Sequence, residues 1–231
     1  MLNKRRTALI AVTMLGLMGI DRMSRRSGVT DAEFNGWLPG DELISDPKVH
    51  WMRGTTIEAP PSAVWPWLAQ MGFGRGGWYT SVFFDRVVWG IENLSRDELV
   101  PEYQHVTVGD IIPDGPNYAA YFRVEDVAPG EYIVYRSLRH PWRGHPVDPT
   151  NPDELEAIEA KLRAEGVYFD FTWSWVLRPI GDSRSRLLVR TRADYSSQWM
   201  MLSALPLGLV DFYHTNTMFS GIKQRAAKSV N

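Results

Sequence analysis

The sequence predicts an α+β domain: an antiparallel sheet, two short helices after its first strand, and one long helix near the C-terminal end. Three observations carry this. Residues 168–179 put Phe169, Phe171, Trp173, Trp175 and Leu177 on one parity and Asp170, Thr172 and Ser174 on the other, the two-residue period of a half-buried antiparallel strand. A strand ends at Ala59, where Pro60-Pro61 stops the ladder and an apolar helix opens. After Pro206 a long helix runs to about Ala227, with Leu209, Phe212, Phe219, Ile222 and Ala226 on one face and Lys223, Arg225 and Lys228 near its cation-favouring end.

In chain order, residues 7–20 (TALIAVTMLGLMGI) follow Lys4-Arg5-Arg6 as an apolar core follows the charged head of a signal sequence. Asp21-Arg22 stands where a small-x-small cleavage site belongs, and the run is shorter than the ~20 residues that span a bilayer as a helix. Residues 1–26 therefore read as an uncleaved signal anchor or interfacial anchor, making the protein membrane-associated through a single N-terminal segment. The alternative is a disordered or core-docked leader on a cytoplasmic protein. Three basic residues flank the run on each side, so charge fixes no orientation. Residues 27–48, punctuated by Asn35-Gly36, Pro39-Gly40 and Asp46-Pro47, read as a tether crossing the domain surface.

The main domain spans 49–228. A first strand covers Val49–Ala59, with Trp51, Arg53, Thr55 and Ile57 on one parity. A short helix follows over Pro61–Met71, with Ser62 able to cap it and Pro66 expected to kink or delay it. The glycine-rich loop Gly72–Gly77 leads to Trp78-Tyr79. A second helix is expected over Ser81–Leu94, with a stripe of Phe83, Phe84, Val87, Val88 and Ile91. Strands follow over 106–112, 118–127 and 131–138, the last two joined by a turn at Pro129-Gly130. Residues 139–165, proline-rich and then helical, form an insertion over the sheet. Beyond the strand at 168–179, Gly181-Asp182-Ser183 turns the chain into Arg184–Tyr195, where Leu187, Val189 and Thr191 face in and Arg190 and Arg192 face solvent.

Composition narrows the function. The chain has 44 % apolar and 23 % charged residues, which suits a globular domain. With no cysteine, disulfides, thiolate nucleophiles and cysteine-based metal sites are excluded. Beyond residue 30 there are 19 basic and 26 acidic residues, a poor match to a phosphate backbone, so no nucleic-acid partner is expected. The loop spacing G-x-G-x-G-G follows a helix rather than a strand, which does not fit a dinucleotide fingerprint. Of five histidines only His140 and His145 lie near one another, so no metal is expected. No cofactor is implied, and no G-x-S-x-G elbow is present.

The joint IEAPPSAVWPWLAQMG (57–72), with GRGGWYTS (74–81), VGDIIP (108–113), VAPGEYIVYRS (127–137) and the strand pair within 171–192, resembles the START-like (SRPBCC) superfamily, nearest its polyketide cyclase/dehydrase-like members. The resemblance covers about 49–228 and implies a helix-grip fold: a curved antiparallel sheet wrapped around the long C-terminal helix, with a cavity between them. It implies binding of a hydrophobic small molecule or lipid, as carrier or sensor. The alternative is a polyketide cyclase/dehydratase-like enzyme acting on an aromatic or oxo substrate.

Ten Trp, nine Tyr and nine Phe supply both core and pocket walls. The candidate ligand-binding residues are Trp78, Tyr79, Phe122, Tyr135, Phe171, Trp173, Trp175, Phe212 and Phe219. No catalytic residue is assigned. An enzyme would need polar groups in the cavity, for which Arg123, Tyr135, Tyr121 and His214 are the candidates. Parity turns Phe122 and Val124 inward and so argues against Arg123 and Tyr121. The loop Gly72–Tyr79 is where ligand entry is expected.

Overall fold

The computed structural model describes residues 25–90, 95–115, 118, 120–141, 143–146, 148, 150–196 and 204–229. The chain enters through β1 (Arg26–Ser27), a short helix α1 (Asp31–Asn35) and a 3-10 turn at Asp41–Ile44. Strand β2 (Val49–Ile57) leads into helix α2 (Pro61–Ala69). A single helical turn α3 (Val82–Phe84) runs into a π-type turn at Asp85–Trp89. Then come β3 (Ile111–Pro113), β4 (Tyr121–Ala128), β5 (Tyr132–Arg139), helix α4 (Pro152–Glu165), β6 (Phe169–Ile180), β7 (Arg184–Tyr195) and helix α5 (Ala204–Lys228).

The seven strands form one curved sheet in the order β1-β2-β7-β6-β5-β4-β3. Every pairing is antiparallel except β1 with β2. The register follows the sequence parity: Trp173 lies opposite Tyr135 and Thr191, and Trp175 opposite Ile133 and Val189. Local chemistry sets the turns. Gly130 (φ +86°) joins β4 to β5 and Gly181 (φ +59°) joins β6 to β7, both in the left-handed region that glycine enters without a Cβ clash. Asn151 caps α4, its side chain accepting from the Glu154 amide at 3.3 Å.

One face of the sheet packs on α5. Ile57, Trp175, Leu177, Leu187 and Val189 share a core with Met218, Phe219, Ile222 and Ala226, and α2 adds Val64, Trp67 and Leu68. The other face is also covered. The entry segment lays Leu38 against Met52, Val176 and Leu188, and α4 lays Leu155 against Tyr121. The α+β architecture with its long C-terminal helix is as expected.

Several local expectations differ. Ser62 does not cap α2; the N-cap is Pro60, two residues earlier, whose carbonyl accepts from Ala63 and Val64, and Pro66 is carried inside the helix. The 106–112 strand shrinks to β3, because Asp110 takes the Thr107 amide at 2.8 Å and bends the chain at Gly109. The second helix is short, and Phe83 and Val87 of its expected apolar stripe are 68 % and 64 % exposed. Arg190, expected in solvent, is 1 % exposed. It pairs with Asp41 and donates to the carbonyls of Glu33, Phe34 and Gly36, because the entry segment covers that face. The expected anchor at 1–26 lies almost wholly outside the described residues. Among those described, no helix is long and apolar enough to cross a membrane.

Candidate functional site

The face of the sheet turned toward α5 carries a wall of rings centred on Trp173. Its neighbours by ring centroid are Trp175 at 5.0 Å, Phe122 at 5.4 Å, Trp78 at 5.5 Å and Tyr135 at 6.4 Å. Phe171 meets Phe122 edge-on at 5.6 Å, and Phe219 of α5 meets Trp175 edge-on at 6.2 Å. Strand alternation supplies Phe171, Trp173 and Trp175 from β6, Tyr135 from β5 and Phe122 from β4, and the glycine-rich loop delivers Trp78. The loop closes through reciprocal bonds between Gly72 and Gly77, and a Cβ at Gly77 would meet Ser95 at 2.5 Å.

Within this wall three buried donors have no hydrogen-bond partner among the described residues: Trp78 Nε1, the Tyr135 hydroxyl and Trp175 Nε1. Burial pushes the Tyr135 phenol well above its ordinary value and keeps it protonated.

A polar cluster borders the rings where β2 faces the first half of α5. Arg53, 1 % exposed, donates to the Gly208 carbonyl at 3.0 Å, and its Nη2 lies 2.9 Å from Asp211 Oδ2. Phe212 sits below the guanidinium, 5.8 Å to the ring centroid. One turn on, His214 lies parallel to Trp173 at 6.5 Å. Burial pushes the Asp211 carboxyl up to about 6 against the opposing pull of Arg53, and lowers His214 to about 4, so that its imidazole is neutral at pH 7. On the Phe171 side, Arg139 covers Phe122 and Phe171 at 5.1 and 5.0 Å and pairs with Asp114 at 2.7 Å.

The structure thus gathers eight of the nine expected ring residues around one wall, with Phe212 at its polar edge. Tyr79 turns elsewhere. Its hydroxyl donates to the Trp67 carbonyl at 2.9 Å, Arg225 covers its ring at 4.6 Å, and its backbone is left-handed at φ +58°. Tyr79 therefore pins α2 to α5. Arg123 and Tyr121 face the other way, toward Glu125, Glu159 and Leu155, as parity argued.

The sequence reading missed Arg53, Asp211 and Arg139. A signal existed for Arg53, which shares the inward parity of Trp51 and Ile57, and for Asp211, which precedes His214 by three positions on one helix. Among the described residues, no group of three or more His, Asp and Glu side chains is placed to hold a metal.

No protein-family model matches the chain, and no curated protein matches it. Solved structures do. A conserved protein from Geobacillus kaustophilus is 15 % identical with a TM-score of 0.41, over 78 % of this chain and 97 % of that one. The ZhuI aromatase/cyclase from Streptomyces sp. R1128 is 12 % identical with a TM-score of 0.39, over 79 % and 95 %. The di-domain aromatase/cyclase StfQ of the steffimycin biosynthetic pathway is 14 % identical with a TM-score of 0.41, over 81 % of this chain and 54 % of that one. At that level of similarity they say nothing of ligand or activity here.

Proposed function

We propose that this protein is a carrier or sensor that binds a hydrophobic small molecule or lipid between the sheet and α5. The observation that carries this reading is the set of three unpartnered buried donors, Trp78 Nε1, Tyr135 Oη and Trp175 Nε1, on one aromatic wall. Buried polar groups are almost always hydrogen-bonded, and an unmet one costs about 1–3 kcal/mol. A ligand with an apolar body and an oxygen function would meet such donors while the rings take up its hydrocarbon. The two described cavities lie elsewhere, one on the opposite face of the sheet and one beside Gly74 and Tyr118. On this reading the site opens by displacement of α5 or of the loop before Tyr79. Native mass spectrometry of the purified protein should show a co-purified organic mass that is lost in Trp173→Ala. An unliganded wild-type spectrum, with no uptake of added fatty acids or aromatic ketones, would refute the reading.

The Arg53–Asp211 pair with His214 beside Trp173 favours a second reading, a cyclase/dehydratase-like enzyme on an aromatic or oxo substrate. A carboxyl titrating near 6 is suited to proton transfer at neutral pH, and Arg53 to polarising a carbonyl. Once a ligand is known, Asp211→Asn should abolish its conversion and leave its binding intact; conversion at the wild-type rate rules this reading out.

A further inference from the structure

A second site lies on the outer face of the sheet, away from α5. There α1, the 3-10 turn, β2 and β7 border an open cavity of about 520 Å³, lined among others by Phe34, Trp37, Asp41, His50, Arg190 and Arg192. Its walls are held by the two arginines. Arg190 ties down Asp41 and the carbonyls of Glu33, Phe34 and Gly36; Arg192 donates to the carbonyls of Ile44 and Ser45, each at 2.9 Å. Phe34 stacks on His50, with ring centroids 4.4 Å apart and planes 15° from parallel. Trp37 lines the same opening and is 68 % exposed, a large ring turned to water.

The polar groups of the cavity decide what it can take. Arg190 engages Asp41 and the carbonyls of Glu33, Phe34 and Gly36 through Nη1 and Nη2, its buried Nε has no hydrogen-bond partner among the described residues, and Glu42 is an exposed carboxylate at the rim. Arg192 Nη1 lies 3.6 Å from Asp41 Oδ1, beyond hydrogen-bond reach, and has no hydrogen bond among the described residues. His50 is held neutral, its imidazole lowered to about 4 by burial and by the two guanidinium groups. Asp41 is already set against both arginines, so a cation would meet two guanidinium groups and only the exposed Glu42 carboxylate. A planar anion can place its ring against Trp37 and the Phe34–His50 stack and its carboxylate on Arg192 Nη1.

We infer that this outer cavity is a binding site for a small aromatic carboxylate, formed by Trp37, Phe34, His50 and Arg192 and independent of the site between sheet and α5. Benzoate, benzyl alcohol and benzylamine titrated into the full chain, read by isothermal calorimetry and saturation-transfer NMR, test it. Benzoate should bind, with benzyl alcohol and benzylamine weaker by about tenfold or more, the loss of one charge-assisted hydrogen bond. Trp37→Ala, at an exposed position, and Arg192→Gln should each weaken benzoate about tenfold, and Trp173→Ala should leave it unchanged. No benzoate binding at 10 mM (roughly a tenfold excess over a Kd of ~1 mM), equal binding of benzylamine, or wild-type affinity in Trp37→Ala would each overturn the inference. Loss in Trp173→Ala alone would place the benzoate in the inner site and likewise overturn it.

Discussion

At the scale of single residues, Arg53 and Asp211 tie the inside of the sheet to α5 with a buried ion pair whose partners shift one another's titration. The Asp211 carboxyl is raised by burial and held down by Arg53, so its folded value near 6 lies above its ordinary value. For a raised carboxyl the folded state holds the proton more tightly. Its contribution to stability therefore falls as pH rises from about 4 to about 6. Arg53→Met removes the opposing charge, so the carboxyl should titrate higher still and the variant should lose more stability at pH 8 than at pH 5. Removing one partner of a buried pair costs roughly 3–5 kcal/mol when the other stays charged. Urea melts at the two pH values, with a carboxyl carbon-13 titration of Asp211, would check this. Equal losses at both pH values would show that the carboxyl is already solvated.

At the scale of elements, α5 approaches the loop between α2 and α3 closely enough to demand glycine. A Cβ on Gly221 would lie 2.3 Å from the Tyr79 carbonyl oxygen and 2.7 Å from its Cβ. Alanine is the better helix former by about 1 kcal/mol, yet overpacking against backbone costs about 1–3 kcal/mol. Gly221→Ala should therefore lower the thermal midpoint, whereas Gly221→Ala with an unchanged or higher midpoint would mean that α5 slides away from Tyr79 freely. This close approach was not legible in the sequence, since nothing local marks a glycine within an apolar helix as a contact point. The strands were another matter. β6 and β7 alternate so regularly that parity alone assigned Trp173, Trp175 and Val189 to the inner face. The parity of β2 also carried Arg53 inward, but a charged residue between tryptophan and isoleucine reads as surface until the helix that pairs with it is in place. Phe83 and Val87 went wrong for the opposite reason: an apolar stripe predicts a buried helix face, and here one α-helical turn runs into a π-type turn that leaves both side chains exposed.

At the scale of the molecule, the entry segment is part of the fold rather than a spacer. Leu38 fills the outer face between Met52, Val176 and Leu188, and Arg190 is buried under backbone carbonyls and Asp41. The sequence read Arg190 as exposed because strand parity names a face and not its cover; the cover comes from about 150 residues upstream, beyond the reach of any local pattern. A chain beginning at residue 46 should leave Arg190 buried or half-wetted without its partners and lose several kcal/mol, about 3–5 for the broken pair alone. A chain beginning at residue 25 keeps Leu38, Asp41 and Arg190 together and should keep a cooperative urea transition. The full protein and the chain from residue 25 test the membrane anchor expected from the sequence: the full protein should sediment with membranes and the shorter chain should not. Equal partition of the two would overturn that expectation.

The contacts that seat the entry segment also set an order of events. Asp41 reaches Arg190 across 149 positions, and Glu33 reaches Arg186 across 153. Contacts this distant in sequence form late, because the loop must close before they can reward it. During synthesis the N-terminal forty-odd residues emerge first and wait for β7, the last strand made, before they have a surface to lie on. Whatever engages residues 1–24 in that interval meets a chain whose outer face is still open, and the aromatic-lined cavity there is completed only when the sheet is.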